Sequence, residues 1–246
     1  FYSYSSGGCF AWPLISFKVT CPGCDDGDDP CFAKDSTRAV LKSGEHVLMS
    51  SLRAGDLVKD GPNSYTRVVV NQHAAVEKAS SLINVEHTNG SLALTPDHCL
   101  FIDGKLGAAR DLKTGSMLGD AQVLRLSMSN GAVINPITVS GKILAVGRGE
   151  PVVAASHPDW IAQYLLDSYV PLPFSLSNLI SYLFPATTQD YYDEHLENIP
   201  VAPQLKQWKA DLPSAAIPAA VVVVDVAISV GFVAYALSSP KVAIRL

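Results

Sequence analysis

From residue 31 to about 158, short apolar runs alternate with glycine-containing turns. The runs at 65–70, 82–87, 92–95, 100–102, 123–126 and 143–146 have strand length and strand composition. Between and around them lie Ser43-Gly44, Asp60-Gly61, Asn89-Gly90, Asp103-Gly104, Asn130-Gly131 and Ser140-Gly141. Asn-Gly and Asp-Gly favour the positive φ angles of tight hairpin turns. Strands this short, with no helical periods between them, predict an antiparallel sandwich or barrel rather than βαβ units. Leu52-Arg53-Ala54-Gly55-Asp56-Leu57-Val58 is echoed by Leu112-Lys113-Thr114-Gly115-Ser116-Met117-Leu118. The shared Leu-x-x-Gly-(Asp/Ser)-apolar-apolar pattern predicts two copies of one β unit around a pseudo-twofold axis.

The texture changes on both sides of this module. Residues 1–30 form a head with three of the five cysteines, Cys9, Cys21 and Cys24. The head ends in Asp25-Asp26-Gly27-Asp28-Asp29-Pro30, which has no apolar period and reads as an extended linker. Residues 159–213 are broken by prolines 171, 173, 185, 200 and 203 into short elements. Trp160, Ile161, Tyr164 and Leu165 have helical spacing, 176–184 is apolar, and 191–198 is acidic. Residues 214–239 carry a single charge, Asp225. That stretch exceeds the ~20 residues a bilayer-crossing helix needs, so a membrane-spanning segment is expected there. A buried helix or strand of a soluble protein is the rival reading.

Composition narrows the function. Of 246 residues, 48% are hydrophobic and 17% charged, which excludes a largely disordered chain. Eighteen Lys and Arg against 23 Asp and Glu give a net charge of −5. No basic surplus exists to hold a phosphate backbone, so nucleic acid is excluded as a partner. The chain begins with Phe1 and is expected to be a piece of a longer one. The clustered head cysteines suit an oxidising setting, hence the secretory pathway, outside the cell or anchored to a membrane.

Two places can carry chemistry. Cys31 stands at the junction of linker and β module. Its thiolate can attack the carbonyl of Pro30 and exchange an amide for a thioester, a more reactive acyl group. The fold must then stabilise the tetrahedral intermediate and protonate the departing nitrogen. A disulfide to a head cysteine is the competing use of Cys31. A zinc site from Cys21, Cys24, Cys31 and His98 or Cys99 is a weaker rival, because the second pair lacks the usual spacing. The second place is Leu94-Thr95-Pro96-Asp97-His98. There a hydroxyl and an imidazole three residues apart can converge on one amide. An isolated Thr-x-x-His is otherwise a turn with a capping Thr and a surface His.

Taken together, Cys31-Phe32, Ser36-Thr37, Ser43-Gly44, Leu52-x-x-Gly55-Asp56 and Leu94-Thr95-Pro96-Asp97-His98 resemble the Hint domain. More narrowly they resemble the autoprocessing half of hedgehog proteins, and inteins share the fold and the first step. Ala109-Arg110-Asp111-Leu112-x-x-Gly115 and Asn135-Pro136-Ile137-Thr138 fit the same order. The resemblance implies a mainly β Hint fold over 31–158 that cleaves its own chain before Cys31. It implies that Cys31 is the nucleophile and that Thr95 and His98 polarise and protonate the scissile amide. It puts His73 where hedgehog proteins have the aspartate that activates a sterol. The acceptor of the acyl group is then a sterol, water or another nucleophile, and the substrate is the chain's own N-terminal segment. A late family cysteine falls near His157, and the family's glycine before the nucleophile is Pro30 here. No cofactor or metal is implied. The alternative is a non-catalytic interaction module of the same fold, with Cys31 in a disulfide.

Overall fold

The computed structural model describes residues 10–11, 16–17, 31–156, 176–197 and 217–238. The acidic linker, Pro30, His157 and the helix expected over 159–168 lie outside the described residues. In the head, β1 (Phe10–Ala11) and β2 (Ser16–Phe17) pair antiparallel.

The β module is one antiparallel network. Its spine is β13 (Ala121–Thr138), an 18-residue strand. β13 pairs in turn with β8 (Ala79–His87), with β3 (Phe32–Ala33) and with β7 (Tyr65–Gln72). β9 (Gly90–Leu94) lies between β8 and β3, through Ile83 opposite Leu94 and Phe32 opposite Leu94. The turn expected at Asn130-Gly131 is not a turn. Asn130 and Gly131 run through β13 opposite Ser81 and Ser80. A side chain at Gly131 would stand 3.1 Å from Leu82 Cδ1, so glycine there serves close cross-strand packing.

The internal repeat is visible bond by bond. In the first copy, β4 (Arg38–Val40) and β5 (His46–Leu48) form a hairpin. A 3₁₀ turn, Met49–Ser51, follows, and then β6 (Leu57–Lys59). In the second, β10 (Cys99–Ile102) and β11 (Lys105–Ala108) form the hairpin. The 3₁₀ turn Ala109–Asp111 and β12 (Met117–Leu118) then follow. The Met49 N–H donates to the Thr37 carbonyl at 3.0 Å, and the Ala109 N–H to the His98 carbonyl at 2.8 Å. Gly55 donates to Val68 and Gly115 to Val123, each at 2.8 Å. Asp56 caps the Arg53 N–H at 2.7 Å, and Ser116 caps the Lys113 N–H at 3.3 Å. Gly55 has φ +99° and Gly115 φ +96°, a region that side chains disfavour. β14 (Lys142–Val146) pairs with β4, β15 (Arg148–Gly149) with β9, and β16 (Val152–Ala155) with both β14 and β10. The core between the copies gathers Phe32, Met49, Leu52, Val85, Leu94, Leu100, Leu112, Ile134 and Ile143.

Three helical segments cap β7. They are α1 (Leu176–Leu183), α2 (Pro185–Tyr191) with a π turn at Tyr192–Leu196, and α3 (Ile217–Ser238). Gln189 acts as a surrogate strand. Its Oε1 accepts from the Asn71 N–H at 2.9 Å, and its Nε2 donates to the Asn71 carbonyl at 3.1 Å. Asn71 in turn donates from Nδ2 to the carbonyls of Met49 and Leu52, at 2.8 and 3.1 Å. Arg67 donates to Ser181 Oγ at 2.9 Å. A second core of Val69, Val70, Ile137, Tyr191, Tyr192 and Phe232 seals the contact.

The membrane span expected over 214–239 is not what the structure contains. The described side chains of α3 lie in its C-terminal half, from Val226 onward. That end of α3 is docked on protein. Phe232 meets Tyr191 edge-on with centroids 5.7 Å apart, Tyr235 donates to Glu194 at 3.2 Å, and Ser229 is buried. Gly231 lets the helix press close, since a Cβ there would stand 2.3 Å from the Tyr191 hydroxyl. Among the described residues no helix is long and apolar enough to cross a membrane.

The two repeat glycines make a matched test. Gly55→Ala and Gly115→Ala meet the same φ penalty, about 1–3 kcal/mol. Only Gly55 faces a neighbour: a methyl there would stand 3.1 Å from Pro185 Cβ, whereas one at Gly115 would meet nothing within 4 Å. Urea denaturation is expected to find Gly55→Ala the more destabilising of the two.

Candidate active site

Cys31 enters β3 from the linker side. Phe32 pairs with both Ile134 and Leu94, so residue 31 is fixed between two strands. Its side chain is buried with Ala33, Leu82 and Val133. Thr95 follows β9 directly and closes on the Cys31 backbone in three ways. The Thr95 N–H donates to the Cys31 carbonyl at 2.8 Å. Thr95 Oγ1 accepts from the Cys31 N–H at 2.9 Å, and it lies 3.4 Å from the Cys31 carbonyl as a donor. The Cys31 nitrogen is the amide nitrogen of the Pro30–Cys31 bond. The hydroxyl therefore grips the atom that must leave if that bond is cut.

A turn brings His98 to the same corner. The His98 N–H donates to the Thr95 carbonyl at 3.0 Å, and the Arg110 N–H donates to the Pro96 carbonyl at 2.9 Å. Arg110 also pairs with the Asp97 carboxylate, which fastens the turn to the second repeat unit. The ring of His98 is buried and stacks obliquely on Phe32, with centroids 4.0 Å apart.

Burial sets its charge. Desolvation lowers the His98 pKa to about 4, against the opposing pull of the Ala155 and Cys31 backbones. At neutral pH the ring is uncharged. Its Nε2 lies 2.8 Å from the Ala155 carbonyl, which can only accept, so Nε2 carries the proton. Nδ1 is then the basic nitrogen, and among the described residues it has no hydrogen-bond partner. The ring thus presents a lone pair, in a dry corner, beside the Cys31 backbone.

Cys31, Thr95 and His98 are therefore brought together. His73 lies at the end of β7, with φ +62°. Its Nδ1 pairs with the Glu197 carboxylate, and its N–H donates to the other Glu197 oxygen at 3.1 Å. Lys34, three residues along from Cys31, ties the two places. Its Nζ donates to the carbonyls of His73 and Val76 at 3.2 and 3.0 Å and to Glu77 at 3.1 Å. Sequence reasoning missed the Ala155 carbonyl, which fixes the His98 tautomer, and Glu197. A backbone carbonyl has no sequence signal. Glu197 lies 124 residues from its partner in a stretch that reads only as acidic. Among the described residues no group of three or more His, Cys, Asp or Glu could hold a metal ion, and Cys21 and Cys24 lie outside them.

No protein-family model matches the chain, and no curated protein matches it. Among solved structures it is similar to inteins. An intein-like domain from Clostridium thermocellum aligns over 52% of this chain and 99% of its own, at 18% identity and TM-score 0.44. The gp41-1 intein aligns over 52% and 98% respectively, at 12% identity and TM-score 0.44. A DnaB intein from Synechocystis sp. PCC 6803 aligns over 52% and 98%, at 7% identity and TM-score 0.43.

The charge state of His98 has a consequence for stability. In the unfolded chain the ring takes up a proton near pH 6.5, whereas in the fold it does so only near 4. Between those values the unfolded state binds more protons, so stability falls as pH drops through this window and levels off below it. The full effect is on the order of 3 kcal/mol. His98→Gln is expected to flatten this part of the stability–pH curve, measured by urea denaturation at pH 7 and 4.5.

Proposed function

We propose that residues 31–156 are a Hint-type autoprocessing module that cuts its own chain between Pro30 and Cys31. The observation that carries this reading is the grip of Thr95 Oγ1 on the Cys31 amide, with the neutral His98 ring against the same backbone. A Thr hydroxyl and an imidazole packed on the Cys31 backbone are costly to bury without use. Every polar atom there needs a partner, and one His98 nitrogen is kept without one among the described residues.

The first step is an N-to-S acyl shift. The Cys31 sulfur attacks the Pro30 carbonyl carbon, and the thiol proton passes to His98 Nδ1. As the tetrahedral intermediate collapses, the C–N bond breaks and the same proton goes to the leaving nitrogen. Thr95 holds that nitrogen in line and accepts its N–H throughout. The product is a thioester at Cys31 and a free α-amine. A ring held near pKa 4 is a weak base but, once protonated, a strong acid, which suits the harder task of protonating an amide nitrogen. The thioester is then resolved by a hydroxyl acceptor, either water or an alcohol such as a sterol, with His73 as the base that takes the acceptor's proton. The acyl product is residues 1–30.

The test is the intact mass of the full chain over time, with and without dithiothreitol. Wild type is expected to release residues 1–30, faster with the thiol, and Cys31→Ala to release none. Thr95→Ala and His98→Ala are each expected to slow release by about 10²–10³-fold. If wild type releases no such fragment under either condition, the reading is wrong.

A further inference from the structure

One buried carboxylate–imidazole pair is absorbed neither by the fold nor by the acyl shift. His73 adopts φ +62°, in the left-handed region that a side chain enters at a cost of about 1 kcal/mol or more. A single carboxylate holds it there. Glu197 takes the His73 N–H on one oxygen and the imidazole Nδ1 on the other. The two side chains are 4% and 1% exposed. Burial alone would raise the Glu197 carboxyl. The hydrogen bonds from the His73 ring and N–H, with the positive charge of Lys78, hold it below its ordinary range instead, so it is ionised.

Glu197 reaches this position by a local irregularity. The chain leaves α2 through the π turn Tyr192–Leu196, and the Glu197 N–H donates to the Tyr192 carbonyl at 2.9 Å. Such wide turns re-aim the residue that follows them and recur at functional sites. Upstream, Gln189 pins α2 to Asn71, two residues before His73. The approach is thus fixed at both ends. The 73–77 loop is fixed in turn to β3 by Lys34, close in sequence to Cys31.

We infer that Glu197 is a positioning residue for acceptor activation: it locks His73 as the tautomer with Nδ1–H, so that Nε2 takes the acceptor's proton. A carboxylate on one imidazole nitrogen fixes the ring and raises the basicity of the other. The inference rests on the thioester reading above. In the step it serves, the acceptor oxygen bonds to the thioester carbon as its O–H proton moves to Nε2. The C–S bond then breaks, and the proton passes from the imidazolium to the Cys31 sulfur. Water gives a carboxylic acid on residue 30, and an alcohol gives an ester. The charged groups around the pair are Asp193 and Lys78 beside Glu197, and Lys34 with its partner Glu77 beside His73. The consequence is that the segment after the β module completes the second half-reaction, although the first half needs only residues of the module itself.

Dithiothreitol separates the halves, because it attacks the Cys31 thioester as its own thiolate and needs no base at His73. The experiment uses the full chain and follows the release of residues 1–30 by intact mass. Glu197→Gln is expected to keep dithiothreitol-driven release within about twofold and to slow release in plain buffer by about 10–100-fold. Glu197→Asp is expected to recover part of that loss, since a carboxylate remains. Addition of a sterol in detergent distinguishes the acceptors, by a mass gain on the fragment or by its absence. If Glu197→Gln leaves both rates unchanged, or lowers both together with the melting temperature, the inference is overturned. If wild type fails to respond to dithiothreitol, the thioester reading falls first and the inference with it.

Discussion

One hydroxyl decides how this corner of the molecule is built. Thr95 Oγ1 takes the Cys31 N–H and lies within reach of the Cys31 carbonyl, while the Thr95 N–H holds that carbonyl as well. The first residue of the module is thereby welded to the end of β9 rather than left to fray, as chain entries usually do. Because β9 is pinned to β8 and β3, any movement of Cys31 would cost the register of three strands. The position of the Cys31 backbone nitrogen is thus set with the precision of the core.

The second constraint is dryness. The corner around His98 is closed by Phe32 and the Ala155 strand, and that burial is what keeps the imidazole neutral. The two requirements reinforce each other. Strand pairing excludes water, exclusion of water sets the charge state, and the charge state leaves one ring nitrogen basic. At the far end of β7 the same logic runs with the opposite sign. There a carboxylate enters the interior and hydrogen bonds from the His73 ring and N–H replace the lost hydration.

Much of this was legible in the sequence, for physical reasons. Turn glycines with positive φ announce hairpins, and Gly44, Gly104 and Gly141 have the angles that their dipeptides imply. The Leu-x-x-Gly repeat was legible because each letter has a mechanical duty: a core leucine, a strained turn, a capping oxygen. Cys31, Thr95 and His98 were legible only through the order and spacing of the motifs around them, since alone each reads as a disulfide cysteine or an ordinary polar turn. Asn130-Gly131 misled because local turn preference lost to nine residues of pairing along β13, where a small residue is wanted for packing. Residues 214–239 misled because hydropathy counts apolar atoms without saying where they sit; at the described end of α3 one face, with Ser229 and Phe232, packs on Tyr191 and its neighbours, while Val226, Val230, Val233 and Leu237 stay exposed. Glu197 and the Ala155 carbonyl were beyond reach, since their roles exist only once distant strands and helices meet.

Thr37 and His98 hold the same backbone address in the two copies of the repeat, each offering its carbonyl to the first N–H of a 3₁₀ turn. The duplication has therefore left two bends of matching shape within a single chain, one bearing an imidazole and a silent one bearing a hydroxyl. The silent bend is an internal reference: whatever the bare backbone does at such a place can be observed there without an imidazole, under identical solvent and temperature. What remains after that subtraction belongs to the side chain alone.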